Sequence, residues 1–204
     1  MAIYIIRHGE TTLNAARVFQ HPDTPLSERG IAQADCVARR VATLGVDALI
    51  ASDYRRAQMT AETLAGLTNL TIAFEPVLRE RNFGNLRGRA HADLDFDAHG
   101  QDYKPVDGES WPDFYTRVEQ AWALIKQRAT STKGNLAVVT HGLVCMALAE
   151  RHLGLVRGQD MPEHWPNTAL TIVDSKAPWT VRLAGCGAHL DNPDVADGGR
   201  MYGL

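Results

Sequence analysis

The stretch Ala2–Arg7 (Ala-Ile-Tyr-Ile-Ile-Arg) is apolar, β-branched and aromatic, and Gly9 follows it at once. Such a run reads as a buried strand that ends where a glycine frees the backbone to turn. Helical and extended patterns then alternate. Ser27 caps a helix with apolar positions at Ile31, Ala34, Val37, Val41 and Leu44, and Gly45 stops it. Residues 46–51 form a second short apolar strand. Residues 53–67 form a helix with Ala57, Thr60, Ala61 and Leu64 on one face, and 71–74 a third strand. Ser110-Trp111-Pro112-Asp113 joins a serine cap, an early proline and a first-turn acid, which starts a helix. Trp111, Phe114, Val118, Trp122 and Ile125 carry that helix to about Ala129. A strand at 135–140, a helix at 143–153 and strands at 169–174 and 180–184 complete the order.

Two segments break the alternation. Residues 79–107 are polar, with three glycines, one proline and weak periodicity, which is long for a plain loop and predicts a small lid insertion. From Gly185 the chain is rich in Gly and Asp, which predicts a loose surface tail over 185–204. Nothing marks an internal boundary, so residues 1–204 read as one domain. Strands joined by crossover helices imply an α/β three-layer sandwich, a mostly parallel central sheet with helices on both faces. Ligands in such folds bind beyond the carboxyl ends of the strands. Three segments meet there: Arg7-His8-Gly9, Ser52-Asp53 and His141-Gly142.

Composition narrows the function classes. A formal net charge of -3 argues against nucleic-acid or anionic-membrane partners, and the apolar runs are too short to span a bilayer. The first residues lack the basic start and cleavage site of a signal peptide, so a cytoplasmic protein is expected. Cys36, Cys145 and Cys186 are widely spaced and odd in number, and read as free thiols. The His, Asp and Glu spacings match no metal site, and no cofactor is expected.

His8 carries the chemistry. Taken alone, a His-Gly pair reads as a buried structural histidine. Its cationic neighbours, however, favour the neutral imidazole that a nucleophile needs, and Gly9 lets an anion approach the backbone. The series Arg7-His8-Gly9-Glu10-Thr11 with Asn14 and Arg17 resembles the signature of the histidine phosphatase superfamily, the phosphoglycerate-mutase-like family. Further segments resemble that family in order along nearly the whole chain. These are Pro25-Leu26-Ser27-Glu28-Arg29-Gly30; Ser52-Asp53-Tyr54-Arg55-Arg56-Ala57 with Thr60-Ala61-Glu62; and Leu78-Arg79-Glu80-Arg81-Asn82-Phe83-Gly84 with Gly88. Gly108-Glu109-Ser110 with Arg117, and Val139-Thr140-His141-Gly142, complete the series.

The resemblance implies a phosphoryl group moved onto His8 and then to water. Phosphoryl transfer spreads charge over three equatorial oxygens. Arg7 and Arg56 can bind these with forked donors, His141 adds another, and Asn14 an amide. Glu80 is then the general acid, although by itself it reads as a surface acid paired with Arg79 or Arg81. Glu10 reads as a structural hydrogen-bond partner and Arg55 as solvent-facing. Where the family shows Gln-Gly after the first motif, this chain has Gln20-His21. Gln20, His21, Arg81 and Gly142 are expected to contact substrate, with a surface position the alternative for His21. His91 and His99 fall in the lid, and the remaining histidines carry no motif.

The same resemblance leaves two outcomes for the phosphoryl group. Mutases of the family carry a long basic insertion after the acid segment. Here that span holds Arg89 and Lys104 against aspartates that include Asp93, Asp95, Asp97 and Asp102, which favours a phosphatase over a mutase. No histidine or arginine of the family pattern is missing, which disfavours a non-catalytic binding protein. Those aspartates are expected to disfavour a second phosphate and to prefer a hydroxyl or amine. The expected partner is a small phosphorylated metabolite, and the assembly a monomer or homodimer.

Overall fold

The computed structural model describes residues 1–154, 162, 164–191 and 195. In chain order its elements are β1 (Ala2–Arg7), α1 (Thr12–Ala15), α2 (Glu28–Thr43), β2 (Ala48–Ala51), α3 (Arg55–Thr68) and β3 (Ile72–Phe74). They continue with α4 (Trp111–Ser131), β4 (Leu136–Thr140), α5 (Gly142–His152), β5 (Leu170–Asp174) and β6 (Val181–Cys186). The six strands form one sheet in the order β3-β2-β4-β1-β5-β6. β1 to β4 run parallel, β5 pairs antiparallel with β1, and β6 antiparallel with β5.

β1 is a continuous apolar run because it lies inside the sheet and is covered on both faces. Its alternate side chains part to opposite sides. Tyr4 and Ile6 pack with Val37, Val41, Ala61 and Leu64 from α2 and α3. Ile3 and Ile5 pack with Phe114, Val118, Trp122 and Ile125 from α4 and Val144 and Leu148 from α5. The two clusters are the inner surfaces of the three-layer sandwich expected from the alternation.

Register turns this architecture into a site. Arg7 pairs with Thr140 and Ala51 with Val139, so the residues that follow leave the sheet side by side. The amide of His8 donates to the Thr140 carbonyl at 2.9 Å, and that of Ser52 to the Val139 carbonyl at 2.9 Å. Gly9 is needed for a second closure. A Cβ there would stand 2.5 Å from the Gly30 carbonyl oxygen, so the loop after β1 and the first turn of α2 touch backbone to backbone.

Three expectations change. The face of α2 is set by Ala34, Val37, Ala38 and Val41, while Ile31 and Leu44 stand 50% and 40% exposed at its ends. Ile31 and Leu44 thus fall off the buried face, although Gly30, Gln33 and Val41 beside them are buried. The second helix starts at Arg55 rather than residue 53, because Tyr54 is its extended N-cap. The loose tail is corrected where it is described. Gly185 and Cys186 belong to β6, Leu190 is buried, and buried Val195 accepts from Gln33 Nε2 at 3.0 Å through its carbonyl. His189 further ties this stretch to Arg40 and Thr168. Apolar Leu190 and Val195 thus anchor a stretch whose Gly and Asp content suggested a free tail. Residues 192–194 and 196–204 lie outside the described residues. No described helix is long and apolar enough to cross a membrane.

Candidate active site

His8 sits one residue past β1, 2% exposed. Its Nδ1 lies 2.7 Å from the Gly9 carbonyl oxygen, and its Nε2 lies 3.3 Å from Arg56 Nε. A carbonyl only accepts and a guanidinium only donates. The pair therefore fixes the tautomer with the hydrogen on Nδ1 and the lone pair on Nε2. Burial, with the Arg56 and Arg7 charges beside it, holds His8 well below the usual histidine range. The result is a neutral imidazole with one directed lone pair. Its backbone carbonyl is held by Asn167 Nδ2 at 3.1 Å and the Thr168 amide at 3.2 Å.

Two buried guanidiniums flank it. Arg7, the last residue of β1, donates from Nη1 to the Trp165 carbonyl. Arg56 lies in the first turn of α3, where Nη1 donates to the His21 carbonyl at 3.0 Å. The Tyr54 ring lies 5.1 Å from the Arg56 guanidinium carbon. Both arginines are thus oriented before any ligand arrives, and both carry fixed charge.

His141 completes the centre from the end of β4. Its ring lies 5.1 Å from that of His8, edge to face, and its Nε2 pairs with Ser52 Oγ at 2.8 Å. Burial, then Arg56 and His8, push it well below the usual histidine range. Its buried Nδ1 has no hydrogen-bond partner among the described residues. Buried polar atoms are rarely left so, and an oxygen supplied by a ligand is one way to satisfy it.

Glu80 faces this cluster from the segment after β3. Oε1 accepts from the Arg81 amide at 3.0 Å and Oε2 from the Leu143 amide, at the start of α5, at 3.2 Å. Burial raises its carboxyl above the usual range, and these two amides with Arg56 and Arg7 only partly oppose it. Its backbone is clamped from α4. Arg117 Nη1 donates to the carbonyls of Val77 and Arg79 at 2.9 and 2.7 Å, and Nη2 to that of Glu80 at 3.2 Å. Glu109 grips the same guanidinium with two bonds of 2.7 Å and takes the Asn82 amide at 2.8 Å.

This clamp makes a stability prediction. Burial raises the Glu109 carboxyl, but the Arg117 bonds outweigh it and leave the pKa lowered. The carboxylate therefore contributes stability that is present above the ordinary carboxylate range and lost as pH falls through its depressed value. Glu109→Gln is expected to cost about 1–3 kcal/mol at neutral pH, read from denaturant unfolding. The gap to wild type should close in acid; a gap that persists at low pH would assign the loss to packing.

The other expected residues divide. Gln20 and Arg81 line the pocket with Arg7, His8, Arg56 and Glu80. Gln20 Oε1 accepts from Thr11 Oγ1 at 2.7 Å, so its NH2 group is what it offers a ligand. Three donors of the Arg81 guanidinium go to the carbonyls of Glu109, Ala98 and Tyr103, and it stacks 4.3 Å from the Trp111 ring, so Arg81 pins the 79–107 segment while lining the pocket. Asn14 is moved from the pocket wall, because its Oδ1 closes the capping box of α1 and its Nδ2 donates to Asn167 Oδ1 at 3.0 Å. His21 contributes its carbonyl to Arg56 while the residue is exposed, and Gly142 is buried as the first residue of α5; neither lines the pocket. Asp93, Asp95, Asp97 and Asp102 do not line it either, which removes the basis for an amine preference.

Sequence reasoning overlooked Tyr54, Phe19, Phe83 and Arg87 as pocket walls. Tyr54, Phe83 and Arg87 lie within the recognised segments, so their positions carried a signal. Asn167 carried none, since its place beside His8 depends on the antiparallel return of β5. Glu10 and Arg55 stand as expected. Glu10 is held by Ser27 and Arg29, and exposed Arg55 pairs with Glu62.

Fold and site together define an α/β protein with a cationic centre at its strand ends, built around a neutral histidine. A family model described as the histidine phosphatase superfamily (branch 1) matches residues 3–183, and the chain belongs to that superfamily of phosphoryl-transferring enzymes. A curated relative, "Probable phosphoglycerate mutase GpmB" from Yersinia pestis (strain Pestoides F), is 34% identical over 209 residues, covering 95% of this chain and 96% of its own. Among solved structures, Bacillus stearothermophilus YhfR superposes with a TM-score of 0.78 at 28% identity, covering 92% of this chain and 98% of its own. The alpha-ribazole phosphatase from Shigella flexneri gives 0.77 at 26%, covering 91% and 96%. A mycobacterial glucosyl-3-phosphoglycerate phosphatase in complex with inorganic phosphate gives 0.75 at 25%, covering 92% and 98%.

Proposed function

We propose that this chain hydrolyses the phosphomonoester of a small metabolite through a phosphohistidine on His8, without a metal ion. The observation that carries the reading is the fixed tautomer of His8, with Nε2 as the lone pair and buried arginines on hand for the phosphoryl oxygens. Arg7 and Arg56 bind those oxygens and neutralise charge that a metal would otherwise meet, and His141 adds a hydrogen bond. Nε2 attacks phosphorus, the P–N bond forms, and the P–O bond to the leaving group breaks. Glu80 gives its proton to the departing alkoxide. Water then attacks phosphorus, Glu80 takes its proton back, and inorganic phosphate leaves His8.

The proton states fit this sequence. Ordinary histidine and carboxyl values are in the wrong order, because a histidine that has lost its proton would sit beside a carboxyl that lost its own earlier. Burial lowers His8 and raises Glu80, so both shifts run in the direction that the two required states need. Activity is expected to fall at low pH as His8 gains a proton, at a pH below the usual histidine value. It should fall at high pH as Glu80 loses its proton, above the usual carboxyl value. Glu80→Gln should lower kcat by about a hundredfold or more and change the alkaline limb. A variant profile matching wild type in shape and height would remove Glu80 from the role.

The relatives named phosphoglycerate mutase favour a second reading, return of the phosphoryl group to an organic acceptor. Against it, Lys104 is tied to Asp113 at 3.3 Å on the surface and Arg89 is exposed, so neither basic residue of the 89–107 span lines the pocket at His8. Aryl phosphate hydrolysis in excess chelator, with a phosphoglycerate mutase assay alongside, separates the cases. Chelator-resistant phosphate release supports the hydrolase, isomerisation without release supports the mutase, and neither supports a binding protein.

A further inference from the structure

Arg87 differs from the arginines around it. Arg79 is bidentate on Asp53, Arg117 on Glu109, and Arg81 is held by three carbonyls. Arg87 is half-buried in the pocket wall, and no carboxylate pairs with it among the described residues. Its hydrogen bond is Nη2 to the Tyr54 hydroxyl at 3.3 Å, one donor of five. A guanidinium drawn partly out of water without a counter-charge is a costly arrangement, and a ligand anion would relieve it.

Tyr54 links this group to the reaction centre. Its ring packs against Arg56 at 5.1 Å and His141 at 5.5 Å, while its hydroxyl meets Arg87. A ligand with its phosphoryl group on Arg56 therefore passes along Tyr54 toward Arg87. Phe19 and Phe83 also line the pocket and suit a short carbon chain.

We propose that Arg87 is a specificity residue that binds a second anionic group, a carboxylate or phosphate, on the leaving-group side of the substrate. The inference rests on the reading above that a phosphoryl group binds at His8. The substrate class is then an acidic phosphomonoester, in place of the hydroxyl- or amine-bearing one expected from the nearby aspartates.

The test is calorimetric binding of three uncleaved probes to the full chain: butylphosphonate, phosphonobutanoate and butylene bisphosphonate. Wild type should bind at least one doubly anionic probe roughly ten- to a hundredfold tighter than butylphosphonate, the range expected of a charge-assisted bond. Arg87→Gln should bring that ratio near one, Arg87→Lys should keep part of it, and Arg87→Glu should reverse it. Whichever acidic probe leads identifies the carboxylate or the phosphate as the source. A wild-type ratio near one, failure to bind any probe, or a ratio kept in Arg87→Gln would overturn the proposal. Aryl phosphate hydrolysis measured in parallel keeps the two readings apart. Hydrolysis with an unchanged ratio sinks only Arg87, whereas an Arg87-dependent ratio without hydrolysis sinks only the phosphatase.

Discussion

Replacing His8 with alanine is expected to lower kcat for an aryl phosphate by roughly a thousandfold or more and to abolish covalent labelling of the chain. The size of the effect follows from the absence of a deputy at the right place. His141 is the other imidazole at the centre, but its Nε2 is engaged with Ser52 Oγ at 2.8 Å, and its ring stands 5.1 Å from that of His8, away from the position of His8 Nε2. Arg7 and Arg56 cannot act as nucleophiles, because their charge is permanent. The fold should survive, since the lost bond from Nδ1 is to the adjacent Gly9 carbonyl and the backbone of His8 stays tied to Thr140, Asn167 and Thr168. The measurement is a labelled phosphomonoester quenched in alkali, where a phosphorus–nitrogen bond persists, with circular dichroism as the folding control. Label retained by the variant would place the nucleophile elsewhere.

How much of this was legible before the structure depends on the range of the interaction. β1 and β4 were readable from apolar runs, and the helices from caps such as Ser27 and Ser110, because those signals are local. His8, Arg56, Glu80 and His141 were readable through their motifs. What those residues touch was not. The tautomer of His8 depends on Arg56, which is 48 positions away in sequence, and the Asn167 contact crosses 159. The partner of Asn14 is equally remote, since its Nδ2 donates to Asn167, and a motif that includes Asn14 does not show that contact. Composition counts glycines and aspartates, whereas the burial of Leu190 and Val195, within the described part of the tail, depends on a surface presented by α2.

Arg56→Ala is expected to combine a loss of rate with a displaced pH profile, and the combination separates its two tasks. As a donor to the phosphoryl oxygens, its removal should cost on the order of 3 kcal/mol, a hundredfold or more in kcat/KM. As a charge beside His8, it is, after burial, the largest cause of the lowered histidine pKa. Its removal therefore raises the His8 pKa, and the acid limb of kcat/KM must move to higher pH, so the variant loses more activity in acid than at neutrality. Arg56→Lys should restore much of the limb position, because it restores charge near Nε2. It should not restore the rate, because an ammonium lacks the fork that meets His8 Nε2 and the His21 carbonyl together. Initial rates from acid to neutral pH for the three proteins decide the matter. A uniform drop with the acid limb unmoved would confine Arg56 to substrate binding, and Arg7 would then be the charge that keeps His8 neutral.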